Sequence, residues 1–225
     1  MGLVKLDTKK LTILAMLSAL AFLAVFLIRI PAVAFLSYEP KDVIFAIGGF
    51  MFGPLSVAAM SAIVSLIEMV TISSTGIIGC VMNILSSCSF ACTAAYVYKK
   101  KRTLQGAIVG LVIGCVIMCA IMLLWNYLIT PLYMQNEGET IEQTRAFVAS
   151  KLLPWFLPFN LVKGTINGAL TMLLYKPVTS ALRRARLLES SRSQVPVKHN
   201  LGLILVLLFV LVTCVLALLV MQGKL

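Results

Sequence analysis

The 225 residues are 60% hydrophobic and 12% charged, with a formal charge of +11 and a mean hydropathy of +1.02. Soluble domains have roughly 45–50% apolar and about 25% charged residues, so this composition excludes an ordinary soluble protein and indicates a polytopic membrane protein. The lysines and arginines cluster in short loops between apolar segments, which indicates membrane topology and anionic lipid rather than nucleic acid.

The apolar segments predict seven membrane spans, and the first is a retained helix. Its apolar run is longer than the roughly 7–15 residues of a signal-peptide core, and no small-residue cleavage site follows it. The predicted spans are residues 11–30, 43–53, 55–71, 77–98, 105–130, 155–176 and 201–221.

The second and third spans are predicted to form a hairpin of two short or tilted segments. As one helix, residues 43–72 would be about 45 Å long, whereas the hydrocarbon core is about 30 Å thick. Gly48 and Gly49 loosen the run, and "FGP" at 52–54 places a proline where a helix stops or turns.

The charge pattern supports this count of crossings. Lys5, Lys9 and Lys10 place the N-terminus in the cytoplasm, and "KKKR" at 99–102 must then be cytoplasmic as well. Four crossings between the two basic segments satisfy that requirement. The 131–154 loop, which carries three glutamates, is predicted to be outside.

The chain is predicted to consist of three regions. Residues 1–186 form a six-helix capture domain, 187–200 a polar cytoplasmic linker that contains the only histidine, and 201–225 an additional transmembrane helix. We assign no function to that last helix from the sequence.

Cysteine spacing does not predict a metal site or a disulfide. Cys88/Cys92 and Cys115/Cys119 have the i, i+4 spacing of possible ligands, but no histidine or acidic residue accompanies them. Small buried core residues are the favoured interpretation.

Polar residues in the sixth span share one helix face. At about 100° per residue, Asn160, Lys163 and Asn167 fall within an arc of about 60°. Asn83 and Asn126, from two other spans, are predicted at a similar depth in the outer half of the membrane. Intramembrane polar groups are costly and are candidates for a functional site.

Two further segments supply polar groups to the same outer half. Glu68 lies near the outer end of its span, and the loop "LSYEPKD" at 36–42 supplies Tyr38, Glu39, Lys41 and Asp42. The alternative is that the asparagines bind neighbouring helices together and Lys163 extends toward the interface.

Aromatic residues flank the predicted polar cluster. Tyr127 and Phe159 adjoin two of the asparagines and are predicted to wall a pocket, whereas Trp155 and Tyr133 fit an ordinary interfacial belt. Apolar walls with a few amides and one cation suit a flat, neutral, hydrogen-bonding small molecule.

Catalytic and nucleotide-binding motifs are missing from the sequence. It contains no phosphate loop, no G-x-S-x-G elbow and no H-E-x-x-H zinc helix, so we expect neither enzymatic activity nor ATP binding by this chain. It also has no row of buried acids and histidines for a proton relay.

Four stretches together resemble the riboflavin-binding S component of energy-coupling-factor (ECF) transporters across residues 8–186. They are "SYEPKDVIFAIGGFMFGPL" (37–55), "TGIIGCVMNILSS" (75–87), "LLWNYLITPLYM" (123–134) and "LPFNLVKGTIN" (157–167). The resemblance implies a six-helix, plasma-membrane subunit that captures riboflavin from outside as cargo and needs no cofactor. A membrane coupling protein and two cytoplasmic ATPases would then drive its release inside.

The resemblance also implies residue roles. Asn126, Asn160 and Lys163 would contact the flavin, while Asn83 and the loop around Glu39 would close the site. Tyr38 and Thr75 are added to the predicted site because of their positions in the chain. Glu39 is the expected counter-ion of Lys163.

The first helix is expected to contact the coupling protein. Ala15 and Ala19 resemble the small-residue face that docks the coupling protein. An S component for another vitamin, or a stand-alone facilitator or channel, remains open as an alternative.

Overall fold

The computed structural model describes residues 8–33, 36–73, 76–134, 140–187 and 201–223. Helices dominate these residues, which confirms the predicted all-α membrane class. The helices are α1 Thr8–Leu27, α2 Lys41–Phe52, α3 Pro54–Thr71, α4 Gly76–Ser87, α5 Thr93–Lys100, α6 Leu104–Leu128, α7 Thr130–Tyr133, α8 Ile141–Lys151, α9 Leu157–Arg184 and α10 Leu201–Met221.

Two strands add a small feature that the sequence did not predict. β1 Ile30–Val33 pairs antiparallel with β2 Leu36–Tyr38, and Ile30 lies opposite Tyr38. The first helix therefore ends at Leu27 rather than near residue 30, and part of the predicted 36–42 loop is a strand. This β-hairpin stands between α1 and α2.

Gly53 and Pro54 separate the second predicted span from the third, as expected. α2 ends at Phe52, Gly53 has a φ of +93°, and Pro54 occupies the first turn of α3. Only glycine adopts that φ without strain, and proline is tolerated at a helix start because its missing N–H has no intrahelical acceptor there. Lys41 at the start of α2 contacts Glu68 near the end of α3, so the two helices run antiparallel.

Gly48 and Gly49 have a different role from the predicted one. They lie inside α2, where a side chain on Gly49 would meet Val57 and Ala95 and one on Gly48 would meet Met60. They therefore allow α2 to pack closely on α3 and α5 rather than breaking the helix.

Five described helical segments are long and apolar enough to cross a membrane. They are Thr8–Leu27, Pro54–Thr71, Gly76–Lys100, Leu104–Leu128 and Leu201–Met221. The predicted span 43–53 is the 12-residue α2, only about 18 Å long, and the predicted span 155–176 belongs to the more polar α9.

Two π-helical turns interrupt the helices next to the polar cluster. Cys88–Cys92 joins α4 to α5, and Leu152–Phe156 joins α8 to α9. Such turns rotate the following residues relative to an unbroken helix and recur at functional sites. Here the first one follows Ser86 and Ser87 directly, and both serines are buried.

The described residues form two hydrophobic cores. The larger joins α1, α2, α3, α5 and α6 around Phe45 and Phe90, and the smaller joins the β-hairpin, α8, α9 and α10 around Phe156 and Phe159. α10 packs along α9, and Nε2 of Gln222, the residue that follows α10, donates to the Pro31 carbonyl oxygen of β1. The additional helix therefore contacts the bundle from end to end.

Basic residues from distant parts of the chain collect at one end of the bundle. Lys10 Nζ lies 5.8 Å from the ring centre of Phe52, and the side chain of Lys99 approaches Gly53. The N-terminal helix start and the 99–102 segment thus lie beside the same α2–α3 turn, as the four-crossing topology requires. We call this the basic end.

The predicted outer loop 131–154 contains two helices. α7 is one short turn. α8 begins with a capping box, in which the side-chain oxygens of Thr140 and Gln143 each accept a hydrogen bond from the backbone N–H of the other residue. The predicted division at residues 186 and 200 stays a prediction, because residues 188–200 lie outside the described part of the chain.

Candidate functional site

A polar cavity of about 60 Å³ lies at the end of the bundle opposite the basic end. The β-hairpin covers it, and side chains from α3, α4, α6 and α9 form its walls. Its lining residues are Arg29, Leu36, Ser37, Glu39, Glu68, Ile72, Ser73, Met82, Asn83, Ser86, Met122 and Lys163.

Lys163 lies in the middle of the sixth predicted span, and it is buried with an ion-pair partner. Its Nζ lies 3.3 Å from Asp42 Oδ2 and donates to Ser86 Oγ at 3.2 Å. Ser87 Oγ donates to the other oxygen of Asp42 at 2.5 Å. Asp42 has no exposed surface and is in the first turn of α2, where the helix dipole also favours a negative charge.

Asn167 connects this ion pair to the β-hairpin. Its Nδ2 donates to Asp42 Oδ2 at 3.2 Å, and its Oδ1 accepts a hydrogen bond of 3.0 Å from the Tyr38 hydroxyl. Burial, and secondarily the nearby Asp42, raises the pKa of Tyr38 well above its ordinary value of 10. The hydroxyl therefore stays protonated at physiological pH and acts as a permanent donor to Asn167.

A second ionic cluster borders the cavity. Lys41 is fully buried, and its Nζ lies 2.8 Å from Glu39 Oε2 and 2.6 Å from Glu68 Oε2. Arg29 pairs with Glu39 at 3.3 Å from the more exposed side. Asn83 Nδ2 donates to Glu68 Oε2 at 3.1 Å.

The two clusters together contain three cations and three carboxylates. The cations are Arg29, Lys41 and Lys163, and the carboxylates are Glu39, Asp42 and Glu68. Among the carboxylate oxygens of these two clusters, the buried Glu68 Oε1 has no hydrogen-bond partner within the described part of the chain. A buried acceptor left unpaired is costly, so a ligand donor at this position would be stabilised.

Three of the predicted site residues line the cavity, namely Glu39, Asn83 and Lys163. Tyr38 reaches the same network through Asn167. Thr75 lies outside the described residues. The other predicted residues are elsewhere in the bundle, as described next.

The two asparagines expected to contact the ligand are buried against their own helices. Asn126 Nδ2 donates to the Met122 carbonyl oxygen at 2.7 Å, and its Oδ1 accepts from Thr130 at 2.9 Å. Asn160 Nδ2 donates to the Phe156 carbonyl oxygen, also at 2.7 Å. Neither lines the cavity in this conformation, so their contact with a ligand stays a prediction.

The two aromatic residues expected to wall the pocket are not at the cavity either. Phe159 is buried in the smaller core, and Tyr127 is 40% exposed on the bundle surface. The structure also corrects the counter-ion of Lys163. Within the described residues, Glu39 pairs with Arg29 and Lys41, and Asp42 is the carboxylate that pairs with Lys163.

Sequence reasoning did not assign Asp42, Glu68, Ser86 or Asn167 to the site. Asn167 shares the face of Lys163, which was a usable signal. Asp42 was noted only as part of the outer loop, and its position at a helix start is equally typical of a capping residue. Serines in an apolar helix carry no comparable signal.

The alanines predicted for docking lie on an open surface. Ala15 and Ala19 are both exposed on α1, facing away from the larger core. That placement leaves them accessible to another helix.

A polar cavity enclosed by a membrane bundle is typical of membrane proteins that bind a small molecule. Residues 9–175 match the family model described as "ECF transporter, substrate-specific component". The chain therefore belongs to the family of substrate-specific components of ECF transporters.

Curated relatives and a solved structure agree with this membership. The chain is 29% identical over 183 residues to "Riboflavin transporter RibU" of Staphylococcus aureus (strain TCH60), covering 79% of this chain and 94% of that protein. It is 28% identical over 190 residues to "Riboflavin transporter FmnP" of Bacillus subtilis (strain 168), covering 81% and 100%.

The structural comparison also covers most of the chain. A solved structure described as "Structure and mechanism of the S component of a bacterial ECF transporter" superposes with a TM-score of 0.64 and 28% identity, covering 80% of this chain and 100% of that one. The family model ends at residue 175, so α10 lies beyond it.

Proposed function

We propose that this chain captures riboflavin from outside the cell and presents it for uptake. The N-terminus and the basic end face the cytoplasm under the positive-inside rule, and the polar cavity then opens toward the exterior. The cell membrane is the proposed location. The names of the two relatives support riboflavin as the substrate.

The observation that carries the proposal is the balanced polar lining of the cavity. Riboflavin is uncharged, and the lining cations Arg29 and Lys163 are balanced by the lining carboxylates Glu39 and Glu68. Lys41 and Asp42 pair with these groups from outside the lining, so no net charge attracts an ion instead. Lys163 supplies a donor for a flavin carbonyl or ribityl hydroxyl, and Asn83 offers an amide. Glu68 Oε1 supplies an acceptor for an imide N–H or a hydroxyl.

The size of the cavity adds a conformational step to the proposal. Sites for ligands of this size have volumes of roughly 300–1,000 Å³, well above the present 60 Å³. The β-hairpin supplies Leu36 and Ser37 to the lining and covers the cavity. We expect it to swing outward to admit the flavin, and the amides of Asn126 and Asn160 to contact the ligand in the widened site.

Energy for release is proposed to come from partners. The sequence has no phosphate loop, so a transmembrane coupling protein and two cytoplasmic ATPases would supply ATP hydrolysis, with Ala15 and Ala19 on the docking face. Riboflavin is cargo in this scheme. No cofactor, catalytic residue or metal ion has a role in it.

The visible absorption spectrum of the chain, expressed alone in a flavin-rich host and purified in detergent, tests the proposal. A flavin band near one equivalent per chain, lost in Asn160→Ala/Lys163→Ala, supports riboflavin and the site. A well-folded protein that stays colourless after riboflavin is added would indicate that the chain binds another vitamin instead.

Transport measurements separate the subunit from a self-sufficient facilitator. Riboflavin uptake into vesicles that contain this chain alone should be absent, and uptake should appear only when the coupling protein and ATPases are reconstituted with it. Uptake by the chain alone would favour the facilitator.

A further inference from the structure

A second cavity, of about 390 Å³, lies at the basic end, on the opposite side of the bundle from the polar cavity. It is bounded by the α5–α6 turn, by α9 and by α10. Its apolar walls include Leu104 and Met172 together with Leu203, Ile204 and Leu207 of α10. The additional helix thus supplies one side of this cavity.

Unpaired cations stand at the mouth of this cavity. Arg102 and Lys176 line it, and Arg183 joins Arg102 in an adjoining cavity of about 200 Å³. None of the three takes part in an ion pair within the described residues, where the carboxylates Glu39, Asp42 and Glu68 all pair with other cations. The site therefore has positive charge available for an anion.

An aromatic cluster connects the two cavities. Phe50 lies 4.5 Å from Tyr98 and 5.7 Å from Tyr175 between ring centres, and the two tyrosine rings are 6.2 Å apart. All three residues line both cavities. Tyrosines with one apolar face and one polar tip are typical of the boundary between acyl chains and head groups.

Polarity changes in the same direction along both walls. Arg102 and Thr103 directly precede α6, and Leu104 and Ala107 lie in its first turns. On α9, Arg183 and Lys176 lie nearer the C-terminal end of the helix than Met172 does. The cationic groups are thus at the membrane boundary and the apolar ones deeper.

We propose that this cavity binds one anionic phospholipid of the leaflet at the basic end. The acyl chain occupies the apolar space between α9 and α10, and the phosphate contacts Arg102 and Arg183, with Lys176 beside them. A phospholipid is the occupant whose apolar and anionic parts match this gradient, and the cytoplasmic leaflet is rich in anionic head groups. The site is separate from riboflavin capture and does not depend on it.

Native mass spectrometry of the full chain in detergent tests the proposal with two probes, dioleoyl phosphatidylglycerol and dioleoyl phosphatidylcholine. Their acyl chains are identical, so only the head group differs. We expect saturable binding of one phosphatidylglycerol per chain, with a Kd at least ten-fold lower than that for phosphatidylcholine.

Charge variants show where the lipid binds. Arg102→Gln/Arg183→Gln should raise the Kd for phosphatidylglycerol at least five-fold. The matched control Lys101→Gln/Arg184→Gln removes two cations from the same end that do not line either cavity, and it should stay within two-fold of the parent chain. If both double variants lost affinity for phosphatidylglycerol equally, the binding would reflect general attraction to the positively charged surface, and the proposal would be overturned.

A third variant tests the apolar part of the site without changing charge. Ile204→Trp/Leu207→Trp fills the space between α9 and α10, and it should weaken binding of both lipids while the chain still elutes as a monodisperse species. Unchanged lipid binding in this variant, or equal affinity of the parent chain for the two head groups, would also overturn the proposal.

Discussion

Lys163 of α9 and Asp42 of α2 form an ion pair of 3.3 Å in a part of the bundle where Asp42 has no exposed surface. Ser87 and Asn167 donate to the same carboxylate, so each of its oxygens has at least one partner. This group holds α2, the end of α4 and α9 together directly below the β-hairpin. It links the stability of the bundle to the lining of the polar cavity.

Asp42→Asn should destabilise the protein strongly, because it leaves Lys163 as a buried cation without a carboxylate. Removing one partner of a buried pair costs about 3–5 kcal/mol. The measurement is thermal unfolding in detergent. The control is Glu142→Gln, an exposed carboxylate in the first turn of α8, which should cost no more than about 1 kcal/mol. Asp42→Asn/Lys163→Met should recover part of the loss, and a double variant no better than the single one would argue against the pair.

Tyr38→Phe should destabilise the protein by about 1–3 kcal/mol at neutral pH, because the buried Asn167 Oδ1 loses its donor. The folded pKa of Tyr38 lies above its ordinary value near 10, so its contribution is complete below pH 10 and decreases as pH rises beyond that value. The difference in Tm between the parent chain and Tyr38→Phe should therefore be larger at pH 7.5 than at pH 10.5.

The exposed Tyr127→Phe is the control for that experiment. It removes a hydroxyl without touching the buried network, and we expect no difference at either pH. A Tyr38→Phe deficit that grew with pH would show that the hydroxyl ionises more easily in the folded protein than the burial of Tyr38 predicts.

Lys163→Met and Asn83→Ala should each weaken riboflavin binding, because both side chains line the polar cavity. Loss of one buried hydrogen-bond partner costs about 1–3 kcal/mol, which corresponds to a rise in Kd of roughly 5–150-fold. Fluorescence quenching of riboflavin by the purified chain measures this. Tyr127→Ala should leave the Kd unchanged, and a comparable loss there would place the flavin outside the cavity described above.

Ala15→Trp/Ala19→Trp should abolish riboflavin uptake by the assembled transporter while binding to the isolated chain is preserved. Both alanines are exposed on α1, and a large ring at either position would keep another helix from approaching closely. Uptake into vesicles and flavin binding in detergent separate the two effects.

Leu20→Trp provides the matched control on α1, since it is also exposed but points about 100–140° away from the alanine face. We expect it to support uptake at the parent rate. Loss of binding in the alanine variant would instead identify Ala15 and Ala19 as part of the core.

Local sequence features were sufficient for the class of fold and for some helix ends. The apolar composition required a membrane bundle, and "FGP" predicted the break that Gly53 and Pro54 make between α2 and α3. Helical periodicity placed Asn160, Lys163 and Asn167 on one face, and all three are buried. These features depend only on residue type and spacing along the chain, which is why they can be read without tertiary contacts.

The ion-pair and hydrogen-bond partners of the site residues depend on the tertiary structure. Asp42 and Glu39 are three residues apart and both carry a carboxylate. Only the packing of α2 against α9 brings the first to Lys163, while the second pairs with Arg29 and Lys41. Asn126 and Asn160 have the depth expected of ligand contacts, but both donate to carbonyls of the preceding helical turn. Depth follows from position along a helix, whereas the partner of a polar side chain follows from how the helices pack and rotate against each other.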